Sequence, residues 1–471
     1  MFGRLEVDKL DSAGRYGSDV APAGANAARW RARPARRLLN AQNVRSRRAW
    51  PVWIRLSLLA YLIVNIGRIH EVFPPLAAVP IGDLVALSLI AALVLAGRYR
   101  RLPGVVRTQG ARLTIAFLAI GALSIPFALW PGGAFGTFNG MLKSWLLCFM
   151  LPLAVTTPEQ LRTVLRIFAL SAGLLLLAYV GGVPGVADPR ALSFDRNEVA
   201  MFAVMGVPFS IAWGAERGRW RWIGTGLSIL LVTGVIVTGS RGGFLALAAV
   251  GLAFLLRSRV LNLRKKLVIL VVAAALVTAV GSGEYWSKIS AIFTDPTEDY
   301  NFQEREGRIE IWKRGLSYAT AHPVTGVGIG NFPVAEGYTL EDVGHGVKWS
   351  AAHSAYVLVF AELGYPGILV FLLIIVGLAR TASGSGVGRV GRPGPASVSS
   401  ARILERQADA FALALLGYLV SAIFLSVAYG AGPAFMIGTA ITMSMLRGAE
   451  MRRAPRPLPV GRVRRAGAPS T

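Results

Sequence analysis

The stretch HSAYVLVFAELGYPGILVFLLIIV, residues 353–376, sets a histidine and a serine directly before a long apolar run. At 1.5 Å rise per residue, about 20 such residues cross a bilayer. The run reads as a membrane helix with a titratable side chain at its mouth. The rest of the chain follows the same pattern. Its 471 residues are 54% hydrophobic, more than an ordinary soluble domain carries. Only helices or closed barrels span lipid, and uncharged runs of roughly 15–22 residues mean helices.

The expected spans are 52–68, 78–97, 112–130, 138–155, 163–182, 198–214, 221–238, 243–257, 266–282, 354–378, 408–428 and 431–447. Arg55 and Arg68 sit at the ends of the first. The sequence thus predicts an all-α polytopic membrane protein of about twelve spans. The Ala- and Arg-rich residues 1–50 show no small-residue cleavage site after a short apolar core, so a cleaved signal peptide is not expected. The single cysteine, Cys148, lies in an apolar run and reads as a packing residue.

Charge gives the orientation. The formal net charge is +25, and lysine and arginine gather in cytoplasmic loops. With the N-terminus in the cytoplasm, every even-numbered loop is basic. Arg98, Arg100 and Arg101 follow span two, Arg217, Arg219 and Arg221 follow span six, and Arg264, Lys265 and Lys266 follow span eight. The odd loops are poor in positive charge. The one long loop, about 283–352, carries Glu284, Asp295, Glu298, Asp299, Glu304 and Glu306. The basic balance is explained by topology, without nucleic acid as a partner. The expected organisation is a disordered basic cytoplasmic tail (1–50), nine spans (51–282), an outer loop with short helices (283–352), three spans (353–447) and a second basic cytoplasmic tail (448–471). His353 then lies at the outer face.

Other polar features collect at that face. TGSRGGF, residues 238–244, places Arg241 in a tight turn where glycines let a ligand approach the backbone. The guanidinium fork suits phosphate, although an arginine there also serves as a snorkelling anchor. In REGRIEIWKRG, residues 305–315, Arg308 and Trp312 are four apart and share a helix face; a solvated helix with Trp312 on the membrane is the plainer reading. AHPVTGVGIGNFPV, residues 321–334, follows no strand, so its glycines read as a tight loop and not as a dinucleotide fingerprint. In SFDRNEVAMF, residues 193–202, Asp195, Asn197 and Glu198 are expected to cap a helix, with a substrate-hydroxyl contact by Asp195 as the alternative. Lys143 stands about one turn inside the outer end of span four, where it either binds an anion or snorkels. The four histidines, His70, His322, His345 and His353, form no HExxH pattern, and there is no DxD pair, so no metal site is expected.

These motifs resemble the O-antigen ligase and polymerase superfamily. HSAYVLVFAELGYPG fits its pattern of His, then Asn, Ser or Gln, nine residues, Gly, two residues, and Gly, Thr or Tyr. TGSRGG, RIEIW, HPVTGVGIGNF and DRNEVA look like its other landmarks, in the same order. The resemblance implies a GT-C-like glycosyltransferase with a long periplasmic loop before the tenth span, in a bacterial inner membrane. It implies transfer of a glycan from an undecaprenyl-diphosphate carrier to an acceptor hydroxyl on lipid A-core, another glycan or a protein, with inversion and without cofactor or metal. Ligase and polymerase share the motif set. On the residues themselves, a leaving diphosphate needs fixed positive charge, which Arg241, Arg308 and, less directly, Lys143 would supply. The acceptor hydroxyl needs a base, for which His353 has a suitable ordinary pKa of about 6.5. Asp195, Asn197 and Trp312 are the further substrate-binding candidates. Gly364 and Gly367 with Pro366 read as close packing and a kink. A transporter or flippase is the competing class, but its site is usually near the bilayer midplane. A scaffold protein gives no reason for the Arg241, Arg308 and His353 set.

Overall fold

The computed structural model describes residues 50–68, 79–181, 195–257, 262–280, 283, 307–342, 349–384 and 395–453. The terminal tails, the acidic side chains between 284 and 306, His70 and His345 lie outside the described residues. Residues 50–471 form one unit, in which the described elements are all helical.

A helix coincides with each expected apolar segment. The elements are α1 (Val52–Gly67), α2 (Ile81–Leu95), α3 (Leu102–Val106), α4 (Gln109–Ser124), α5 (Pro131–Trp145), α6 (Leu147–Ala154), α7 (Pro158–Gly181) and α8 (Arg196–Gly214). They continue with α9 (Arg221–Val237), α10 (Arg241–Arg257), α11 (Leu263–Val280), α12 (Arg308–Ala321), α13 (Phe332–Asp342), α14 (Ala355–Ser383), α15 (Pro395–Ile423) and α16 (Ala431–Arg453). Gln109–Phe127, Pro158–Gly181, Ala355–Ser383 and Ser400–Ile423 are long and apolar enough to cross a bilayer by themselves. Ile81–Leu95 with Arg98–Val106 passes the same test as a pair bent by 81°. The count of twelve rests on hydropathy and charge.

Most segments shift by a few residues from their expected bounds, and three of the changes bear on the fold. The fourth starts earlier, at Pro131, whose missing N–H costs nothing in a first turn. It is also divided between α5 and α6. The eleventh extends back to Pro395, because Ala, Leu, Glu, Arg and Gln between 400 and 407 are good helix formers. Gln407 ties that extension down by donating to the Pro158 carbonyl at 2.7 Å. The tenth, α14, is 29 residues long and is interrupted at Gly364, whose φ of 61° and ψ of −161° are non-helical.

The core centres on α8, which is buried from Val199 to Ser210. It packs against α7, α9 and α15. Phe168 of α7 stacks on Phe435 of α16 at 4.2 Å and meets Phe209 of α8 edge-on at 5.6 Å. Phe117 of α4 stacks on Trp145 of α5 at 5.2 Å. Such dispersion contacts, rather than expulsion of water, hold helices together in lipid. Outward faces stay apolar: Val268, Val271 and Val272 of α11 are all exposed.

Candidate active site

His353 has an unusual backbone. Its φ is 48°, in the left-handed region, and Arg68 is the only other non-glycine residue there among the described residues. An L-residue in that region costs roughly 1–2 kcal/mol, so surrounding contacts must hold it. Two neighbours do so. Trp312 of α12 donates its indole N–H to the Ala352 carbonyl at 3.0 Å. Ser354 caps α14, accepting from the Val357 N–H at 3.5 Å. The helix cap is thus Ser354, and the imidazole is left for other work. Among the described residues it has no hydrogen-bond partner. Burial, then the nearby Arg308 guanidinium, pushes the His353 pKa below the ordinary histidine range, and Asp195 opposes them. The neutral form, able to accept a proton, is therefore favoured.

The Asp195 motif meets the Arg241 turn through side chains. Asp195 stands at the N-cap position of α8, but its side chain makes no capping bond. Its carboxylate accepts instead from the Asn197 amide at 2.7 Å, which corrects the expectation of a cap. Asn197 in turn accepts from the Ser240 hydroxyl at 2.7 Å. Ser240 then accepts from the Gly243 N–H at 3.0 Å and so caps α10, whose first residue is Arg241. Glu198 pairs with Arg68 at 3.0 Å. The sequence marks Arg68 only as a span end.

Arg308 opens α12, with Gly307 as its N-cap. The helix is fixed on two sides. Arg314 forms a two-pronged bond to the fully buried Glu336 of α13, at 2.9 and 2.6 Å, and Tyr318 donates to the same carboxylate at 2.8 Å. Gly315 lies so close to Val357 and Phe332 that an added Cβ would stand 2.5 Å from Val357. Trp312 is thereby held against the start of α14 and not left on the membrane.

The glycine loop 326–332 is pinned to the break in α14. Glu362, 1% exposed, accepts from the Gly330 N–H at 2.8 Å, the Phe332 N–H at 2.9 Å and the Tyr429 hydroxyl at 2.9 Å. The Gly328 N–H donates to the Glu362 carbonyl at 3.0 Å, and the Tyr365 N–H donates to the Pro323 carbonyl at 2.9 Å. Gly326, Gly328 and Gly330 all have positive φ, and an added Cβ on any of them would come within 2.3 Å of another atom. Sequence reasoning missed Glu362. A lone carboxylate in an apolar run was the available signal.

Lys143 is placed differently from the other candidates. It lies in the last turn of α5, half exposed, and pairs with Asp83 of α2 at 2.9 Å. No hydrogen bond among the described residues joins it to the His353 network. Nor does any group of three His, Cys, Asp or Glu among those residues stand close enough to share a metal ion.

Apolar helices ending in a cluster of arginine, carboxylate and histidine define a membrane protein with polar chemistry at a helix boundary. Residues 226–372 match a protein-family model described as O-antigen ligase. The match supports the O-antigen ligase superfamily for this chain, and with it a ligase- or polymerase-type, glycosyltransferase-like function that uses a lipid-linked glycan donor and an acceptor. The matched segment contains Arg241, Arg308, Trp312 and His353, while Lys143, Asp195 and Asn197 precede it. No match was found among curated proteins.

Proposed function

We propose that this protein is an O-antigen ligase-like glycosyltransferase of the bacterial inner membrane. It moves a glycan from an undecaprenyl-diphosphate carrier to an acceptor hydroxyl, on lipid A-core or another surface acceptor, at the periplasmic face. Both chain termini lie in the cytoplasm. The observation that carries the reading is His353: strained backbone, half-buried imidazole with no protein partner among the described residues, and pKa lowered by burial and Arg308. In the proposed step the acceptor oxygen attacks the sugar C1 and His353 takes its proton. The C1–O bond to the diphosphate breaks, the configuration at C1 inverts, and the diphosphate leaves as an anion. Arg241 and Arg308 stabilise the charge that builds on it. Asp195 and Asn197 contact the substrate hydroxyls, and Lys143 adds a more distant positive charge. Trp312 serves mainly to hold the strained turn.

A polymerase that joins repeat units would use the same residues. Deleting the gene and measuring glycan length on the lipid-diphosphate carrier separates the two. Long chains stranded on the carrier mean a ligase, and single repeat units mean a polymerase. An unchanged carrier pool would count against both and favour a transporter. Transfer by purified protein in detergent, where transport has no meaning, would exclude the transporter.

A further inference from the structure

A groove of about 830 Å³ opens between α8, α9 and α11. Its basic mouth lies at the other end of α9 from the Arg241 turn, about 25 Å away along a 17-residue helix, and its apolar wall runs along α9 as far as Val232. Its walls are apolar, with Ile229, Val232, Val268 and Val272 among them. Its rim carries Arg217, Arg221, Arg264 and Lys265. All four are exposed, and none is in an ion pair among the described residues. The rim's one carboxylate, Glu216, is already engaged by Arg166, with Arg162 at 3.7 Å. Among the described residues, the four cations therefore face the groove mouth without a balancing charge. The first turns of α9 and α11 both begin there, adding the positive ends of two helix dipoles. Trp220 and Trp222 stand beside the mouth, each under an arginine, as amphipathic side chains do at a bilayer interface.

We infer that this groove seats an anionic glycerophospholipid of the surrounding bilayer, its phosphate on the four cations and an acyl chain along the apolar wall. The occupant follows from charge complementarity on an apolar cleft that lipid can enter. Basic pockets between membrane helices on the cytoplasmic side select anionic headgroups in this way. The charge pattern puts this rim on that side, opposite the proposed glycan site. A zwitterionic lipid would leave the cations unmatched.

The test is native mass spectrometry of the full-length protein in mixed micelles with phosphatidylglycerol, phosphatidylethanolamine or a polyprenyl phosphate. The expected result is retained phosphatidylglycerol in preference to phosphatidylethanolamine, weakening as salt is raised. R264Q/K265Q should lower that preference roughly 30-fold. V268W should also release the lipid, because it fills the groove and leaves every charge in place. R219Q removes a nearby charge outside the groove and should change little. Equal retention of both phospholipids, or salt-insensitive binding, would overturn the inference. So would unchanged binding in V268W, an R219Q loss as large as that of R264Q/K265Q, or a polyprenyl phosphate displacing phosphatidylglycerol.

Discussion

At the residue scale, His353 combines a strained backbone with the proton-accepting role proposed for it. On that proposal the neutral imidazole is the working form, and its pKa is lowered by burial and by Arg308. Activity should therefore stay flat through neutral pH and fall only as the pH drops through a value below about 6.5. A pH–rate profile of the purified protein checks this; a midpoint above 6.5 would contradict it. The Arg241→Lys variant should lose at least about tenfold in transfer rate, because a point charge does not replace a two-pronged donor. Equal rates would remove Arg241 from the diphosphate role. Trp312→Phe keeps the ring and removes the N–H bonded to Ala352. It should lower kcat more than it raises KM, and a change in KM alone would point to substrate contact. The sequence singled out Arg241 by its flanking glycines and His353 by its place before an apolar run. The Ser240–Asn197–Asp195 chain was not legible there, since it joins residues 43 apart in sequence, and local spacing carries no record of such a meeting.

At the scale of elements, the break in α14 and the glycine loop form one unit. Glu362→Ala would strand two backbone N–H groups and the Tyr429 hydroxyl, each at about 1–3 kcal/mol. It should lower the unfolding temperature in detergent much more than Glu362→Gln, which keeps acceptor oxygen in place. Gly364→Ala should destabilise as well, because φ is 61° and an added Cβ would meet the Pro323 carbonyl oxygen at 2.5 Å. Unchanged unfolding in either alanine variant would contradict the pinning. The apolar runs announced the helices, and Gly364 with Pro366 announced a kink. The partner of that kink was not legible, because the GVGIG loop carries its information in backbone N–H groups that every sequence possesses.

At the scale of the whole molecule, orientation decides which chemistry is possible. On the charge pattern, the proposed orientation puts the rim at Arg217 to Arg221 inside and the loop that contains Trp349 outside. Cys148, the single cysteine, is buried, so introduced cysteines report cleanly. Trp349→Cys should react with a membrane-impermeant maleimide on intact spheroplasts. Arg219→Cys should react only after permeabilisation. The reverse pattern would put His353 in the cytoplasm, away from any outer-leaflet donor. The all-helical class was readable because bilayer thickness acts on composition alone, and loop charge supplies the proposed orientation. Substrate identity is not written at that scale, since the same helices and charges serve a ligase and a polymerase.

The most direct measurement is the transfer rate of purified His353→Ala against the unaltered protein, with a lipid-diphosphate-linked glycan and its acceptor in detergent. Loss of a general base predicts a fall of roughly 10²–10⁴ in rate with the unfolding temperature preserved. An unchanged rate would show that His353 takes no part in the chemistry.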